Sequence, residues 1–373
     1  MKDMSIIVAG HICLDITPII EREIKAEDGT IFTPGRLISV DGVTIHPGGC
    51  VANTGLAFKK LGADVQLMAK IGTDAFGKIL LEYLESHGVA KGMIVDEEAV
   101  TSYSVVLAPP NFDRMFIHDT GANNTFSCED LDFEEIKKAS LFHYGYPTVM
   151  KKMHENDGSG LVEMYEKIHS YQVATSLDLS IIDPSSAGKD LDWKNILKQT
   201  LPFVDFFVPS IEELIYMVDR NRLKEWISRA KAGEDFVFHV STEELENLAD
   251  IVLSMGTKVV LIKCGARGMY LRTASEESLA RIGGGIGALL QNWGNISHFE
   301  CSYKPERVAS ATGAGDSSIA AFLYAVTLGY DWRKCLQMAT GTGASCVEEF
   351  DGLSGLRSFS ELEEKIQKGW EKQ

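Results

Sequence analysis

The 373-residue sequence predicts an α/β fold: a mainly parallel central sheet covered by helices on both faces, with a small separate sheet beside it. Three observations carry this reading. Short apolar runs alternate with amphipathic stretches along most of the chain, and each change of period falls at glycine or a small polar residue. Two other stretches, roughly 31–46 and 102–118, alternate β-branched with polar residues and contain nothing helical. Finally, glycine-rich turns stand directly ahead of two apolar, helix-forming segments.

Taken in order, the first apolar run, 5–9, reads as a strand and not as a signal peptide, because it breaks at Gly10-His11 and soon reaches Asp15. Further strands are predicted at 65–69, 141–144, 173–177, 203–208 and 259–263, with helical spacing at 51–61, 75–87 and 161–169. That alternation gives a parallel sheet sandwiched by helices. The two half-exposed β stretches are expected to form an inserted sheet that acts as a lid. The charged segment 219–241 reads as an insertion, and so does 273–304, where a glycine cluster meets Leu289, Leu290 and Trp293. Near the end, Ser360 followed three residues later by Glu363 predicts a capping box at the start of a last helix.

Composition narrows the function. Lys plus Arg number 36 against 53 Asp plus Glu, a formal charge of −17 that repels polyanions and argues against a nucleic-acid partner. A small anion is still admissible, since backbone N–H groups at a helix N-terminus bind phosphate without net basic charge. Seven scattered cysteines with no C-x-x-C pair fit reduced thiols in the cytoplasm. No uncharged apolar stretch approaches the ~20 residues needed to cross a bilayer, so no membrane partner is expected. There is no G-x-x-x-x-G-K-[ST]. Gly283-Gly-Gly285-Ile-Gly-Ala288 loosely matches a dinucleotide pattern, but no clear strand leads into it. The histidines and cysteines show no metal-ligand spacing, so a zinc site is not expected.

Two motifs carry chemistry. Thr312-Gly313-Ala314-Gly315-Asp316 runs straight into an apolar, Ala-rich helix former. Its small residues allow a tight turn whose N–H groups, aided by the helix dipole, make an anion hole suited to phosphate. Asp316, on the first turn, could take a proton from a hydroxyl about to attack a phosphoryl group; the plainer alternative is a favourable first-turn carboxylate. The second motif places Gly48 and Gly49 before a helix, with Asn53 one turn inside. Asn53 both donates and accepts, which suits a polyhydroxy ligand, although a bond to backbone would also satisfy it.

Together, Gly48-Gly49-x-x-x-Asn53 with the spaced Gly62 and Gly72, and Thr312-Gly-Ala-Gly-Asp316 ahead of an apolar helix, resemble the two signatures of the ribokinase-like (PfkB-type) carbohydrate kinases. The resemblance spans about 5–356 and implies one kinase domain over 1–373: a three-layer α/β/α core with a small β-sheet lid from strands near 12–46 and 100–120. It implies an ATP-dependent phosphotransferase that acts on a hydroxyl, expected to be primary, of a sugar or sugar-like molecule. A nucleoside kinase of the same fold is the nearest alternative, with Cys50, Tyr103 and Tyr144 compatible with its acceptor pocket, and a silent sugar or nucleotide sensor is a further one.

Carried onto this chain, the resemblance makes Asp316 the catalytic base and the amides of Gly313, Ala314 and Gly315 the anion hole. Asp15, Gly48, Gly49 and Asn53 would bind the acceptor, with Arg114 as a lid arginine. Ser210, Lys263, Gly265, Thr312, Thr340 and Gly343 fall on the nucleotide side, and Glu213 would act on Mg²⁺ through water. A homodimer through the exposed lid edges is also implied.

The chain departs from the family pattern at several points. Ser210 stands where the Asn of an Asn-x-x-Glu motif is usual, and Ser310 stands where potassium-activated members carry Asp, which leaves monovalent-cation dependence open. Cys50 after the paired glycines, and the lack of an acidic residue in Leu141-Phe-His-Tyr-Gly-Tyr146, do not favour ribose; Tyr144 and Tyr146 are candidate pocket residues or simple packing.

Overall fold

The computed structural model describes residues 4–20, 34–35, 37–108, 115–183, 186–231 and 233–373. Its strands are β1 (Ser5–Gly10), β2 (Cys13–Ile19), β3 (Gly42–Gly48), β4 (Asp64–Gly72), β5 (Gly92–Asp96), β6 (Tyr103–Leu107), β7 (Met115–Asp119), β8 (Leu141–Gly145), β9 (Ala174–Asp178), β10 (Phe206–Phe207), β11 (Val259–Lys263), β12 (Gly268–Thr273) and β13 (Ser297–Cys301). Its helices are α1 (Gly49–Leu61), α2 (Ala75–Ser86), α3 (Phe133–Ile136), α4 (Lys151–Ser170), α5 (Trp193–Thr200), α6 (Ile211–Val218), α7 (Arg220–Arg229), α8 (Thr242–Leu253), α9 (Glu276–Leu279), α10 (Ala314–Thr327), α11 (Trp332–Cys346) and α12 (Phe359–Gln367).

Nine strands form one sheet in the order β13-β12-β11-β10-β9-β8-β1-β4-β5. Neighbours from β5 to β11 run parallel, and β12 and β13 extend that edge antiparallel. Because side chains alternate across a strand, Ile6, Val8, Val259 and Leu261 pack on the face covered by α1, α10, α11 and α12. Ile7, Ala9, Val260 and Ile262 pack on the other face, against α4, α5, α6 and α8. The result is a three-layer α/β/α core.

Four strands form the smaller sheet, in the order β3-β2-β6-β7. It joins the core almost directly, since only His11 and Ile12 separate β1 from β2. The first predicted lid stretch began near 31; residues 21–33 and 36 lie outside the described residues, and β3 starts at Gly42.

Four predicted boundaries change. Residues 273–304 are not simply an insertion, because β13 within them pairs with β12 along five residues as the edge of the main sheet. The 203–208 strand shrinks to Phe206–Phe207, since Pro202 lies in a short turn of 3₁₀ helix at Leu201–Phe203. Helix α4 begins earlier than predicted, at Lys151, and breaks at Glu155, Asn156, Asp157 and Gly158, the last three with positive φ, before continuing through the predicted 161–169. The last helix is capped by Ser358 with Glu361, two residues before the predicted pair. Within 219–241, α7 docks by burying Trp226, whose indole N–H donates to Glu244 at 3.0 Å.

Candidate active site

Parallel strands deliver polar groups from their C-terminal ends, where open α/β sheets bind ligands. Strand β8 ends at Gly145, just before Tyr146; β9 ends on Asp178 and β11 on Lys263. Helix α10 opens toward the same place, with Gly313 at φ 71° supplying the left-handed turn and Asp316 in the first helical turn. The N–H groups of such a first turn have no acceptor within their own helix.

Asp316 is the centre of this cluster and is only 5% exposed. The Asn53 amide donates to its Oδ2 at 3.0 Å and the Thr54 hydroxyl to its Oδ1 at 3.3 Å. The Tyr146 phenol donates to both oxygens at 2.9 Å. Asn53 therefore bonds a carboxylate and not backbone. Burial pushes the Asp316 carboxyl above the usual aspartate range, while Lys263 and the bonds from Asn53 and Tyr146 restrain the rise.

Lys263 pairs with Asp178 at 2.7 Å, both largely buried. Its stem also reaches the anion turn, since a Cβ on Gly315 would lie 3.5 Å from the Lys263 Cδ. Burial works against the ammonium, but Asp178, Glu213 and Asp316 outweigh it and hold Lys263 above the lysine range. Three carboxylates thus share one buried cation. Asp178 keeps its other oxygen, Oδ2, buried and without a hydrogen-bond partner among the described residues.

The paired glycines make room for the chain itself. A Cβ on Gly48 would lie 2.2 Å from the Asp15 carboxylate, and one on Gly49, at φ 82°, would lie 2.5 Å from the His11 ring. The lack of a Cβ at both positions seats Asp15 and His11 against the start of α1.

Other predicted residues fall elsewhere or have different partners. Ser210 and Glu213 cap α6 reciprocally, the Ser210 N–H donating to Glu213 at 2.7 Å and the Glu213 N–H to Ser210 Oγ at 3.3 Å. Gly265 is exposed in the left-handed turn after β11. Thr312 donates its N–H to Ser310 Oγ at 3.1 Å, so the serine that replaces the family aspartate closes a local turn. Thr340 is 2% exposed, its hydroxyl bonded to the Leu336 carbonyl at 2.9 Å and approached by Lys372 at 3.5 Å. The buried hydroxyl thus donates within its own helix. Gly343 lets α11 pack on α10, where a Cβ would lie 2.4 Å from Ser318 Oγ. Arg114 lies outside the described residues.

Cys50 and Tyr144 do not line an acceptor pocket. Cys50 is fully buried 3.5 Å from His143, and Tyr144 points into the opposite core, where its hydroxyl donates to Met150 Sδ at 3.0 Å. Tyr146, by contrast, is in the cluster. The sequence reading also missed Thr54 and Asp178; a carboxylate directly following the predicted strand 173–177 was the available signal for the second.

A buried carboxylate raised toward basicity, a buried ammonium and a helix N-terminus converge here, an arrangement able to hold an anion and accept a proton. The pfkB family carbohydrate kinase sequence profile matches residues 6–357, and the chain belongs to that family. An uncharacterized sugar kinase of Archaeoglobus fulgidus is 22% identical over 307 residues, covering 81% of this chain and 98% of its own. A probable fructokinase-5 of Arabidopsis thaliana is 25% identical over 328 residues, covering 83% and 85%. The structure of Arabidopsis thaliana ribokinase complexed with ribose and ATP superposes with a TM-score of 0.69 at 20% identity, covering 98% and 99% of the two chains, which shows the shared fold. The protein is a carbohydrate kinase.

Proposed function

We propose that the protein transfers the γ-phosphoryl group of ATP to a hydroxyl, a primary one, of a sugar or sugar-like acceptor, with Asp316 as general base. The observation that carries this is the Asp316 carboxylate, buried at the start of α10 and held by Asn53, Thr54 and Tyr146. Asp15 and Asn53 bind acceptor hydroxyls. Asp316 takes the proton of the attacking hydroxyl as its oxygen bonds to phosphorus and the bond to ADP breaks. The amides of Gly313, Ala314 and Gly315, with Lys263 beside them, stabilise the charge on the transferring group. The small sheet excludes water that would otherwise compete as acceptor.

The residues fit a magnesium ion accompanying the nucleotide. Asp178, Glu213 and Asp316 together outnumber the Lys263 charge, and the unpartnered Asp178 Oδ2 is an acceptor suited to a hydrated cation. Bound there, Mg²⁺ would neutralise phosphate charge. Among the described residues no helix is long and apolar enough to cross a membrane. The exposed lid residues Val43, Ile45, Phe116 and Ile117 support a homodimer through that sheet, which light scattering on the purified chain would test.

The test is a coupled ADP-release screen with MgATP against fructose, ribose, 2-keto-3-deoxygluconate, adenosine, inosine and cytidine, with Asp316→Asn as control. Turnover on a sugar that falls by orders of magnitude in the control supports the reading. Turnover on a nucleoside alone would replace the acceptor class, and near-native turnover in the control would remove Asp316 from its role.

A further inference from the structure

Where β1 passes into β2, His11 and Cys13 meet His118 of β7, and one ligand atom from each lies within 4.8 Å of the others. Nothing in their spacing along the chain marks them, because the lid brings His118 in from 107 residues away. The two Nε2 atoms are 3.2 Å apart. Two nitrogens on a tetrahedral zinc-class ion, at bonds of about 2.05 Å, are separated by about 3.3 Å. His118 is oriented for this by the Ser104 hydroxyl, 3.0 Å from its Nδ1, the outer-shell arrangement that fixes a ligating imidazole. His11 is buried, with Nδ1 against Gly49 and without a hydrogen-bond partner among the described residues, so Nε2 is the atom it presents.

We propose that His11, Cys13 and His118 form a site for a divalent transition metal of the zinc class, which ties the small sheet to the core. The three side chains leave the fourth position of the tetrahedron to a solvent ligand. On binding, the Cys13 S–H bond breaks, its proton leaves to solvent and the thiolate bonds the ion.

Cobalt tests the site without reference to turnover. The full chain, reduced and stripped with chelator, is titrated with Co²⁺ while its absorbance is followed. One equivalent giving intense tetrahedral d–d bands and a thiolate charge-transfer band, both bleached by Zn²⁺, is the expected result. Cys13→Ser should abolish the charge-transfer band, and His118→Gln, on an exposed strand, should weaken binding at least tenfold. Cys301→Ser, at an exposed cysteine on the far edge of the main sheet, should change neither. Weak octahedral cobalt only, or a spectrum unchanged in both Cys13→Ser and His118→Gln, would overturn the site.

Discussion

The phenol of Tyr146 donates to both carboxylate oxygens of Asp316, at 2.9 Å each, across 170 residues of sequence. Tyr146 holds a left-handed backbone, φ 67°, at the turn that follows β8, a conformation that costs energy and is kept only where the surroundings impose it. The bond favours the charged form of Asp316 against burial, which raises its pKa. Tyr146→Phe removes that support. The Asp316 pKa should rise further, and the acid limb of kcat/KM should move to higher pH by about one unit, the size of a charge-assisted hydrogen bond. A pH–rate profile with an unmoved acid limb would show that Tyr146 only fills space.

Lys263 serves two structures at once, the ion pair with Asp178 and the anion turn at Gly315. Lys263→Met should cost about 3–5 kcal/mol of stability by leaving Asp178 buried and unpaired. It should also lower kcat by about 10²–10³ through loss of charge beside the transferring group. Adding Asp178→Asn removes the orphaned charge. The double variant should then regain much of the stability in urea unfolding while activity stays low, and parallel recovery of both would assign Lys263 a purely structural role.

How far the sequence reveals this site depends on the range of the interaction. Asp316 and Gly313 are readable because a glycine turn and a first-turn carboxylate are local features of one segment. The layered core is readable for the same reason, since the alternation at Ile6, Ile7 and Val8 is local. Thr54, Tyr146 and Asp178 acquire meaning only when the fold brings distant segments together, 262 residues apart for Thr54 and Asp316, 170 for Tyr146 and Asp316 and 85 for Asp178 and Lys263. The edge strand β13 escaped because its five residues follow an irregular glycine-rich segment with no clean period-two pattern. The paired glycines stand out in the sequence as a turn before a helix, but that Asp15 and His11 lie against them is disclosed only by the fold.

Asp15 lies over Gly48, on the strand that leads from the core into the lid. Asp15→Ala should raise the KM for the acceptor at least about tenfold, the worth of one hydrogen bond to a charged group, and leave ATP affinity nearly intact. Gly48→Ala should act in the same direction by pushing Asp15 aside. Steady-state kinetics with each substrate varied in turn separates the two parameters, and an unchanged acceptor KM in Asp15→Ala would sink its assignment.

His143 is buried between Ser176 Oγ at 3.0 Å and Cys50 Sγ at 3.5 Å, so it can be satisfied while neutral but gains no carboxylate when charged. Burial, with the Lys263 charge adding to it, lowers its pKa to about 3. The sign of the consequence follows from the unfolded chain, where a histidine takes its proton at about 6.5. Below that pH the unfolded state binds a proton that the folded state refuses, so the stability this residue permits at neutral pH is lost progressively as pH falls from about 6.5 toward 3. Between pH 7 and 5 the loss should be about 2 kcal/mol. His143→Gln cannot take the proton and should show a shallower decline, whatever its stability at pH 7, because every other titrating group is common to both proteins. The measurement is urea unfolding of both at pH 7 and pH 5: the wild type should lose about 2 kcal/mol more than the variant between the two, and equal losses would mean that His143 is protonated in the folded protein as readily as in the unfolded one.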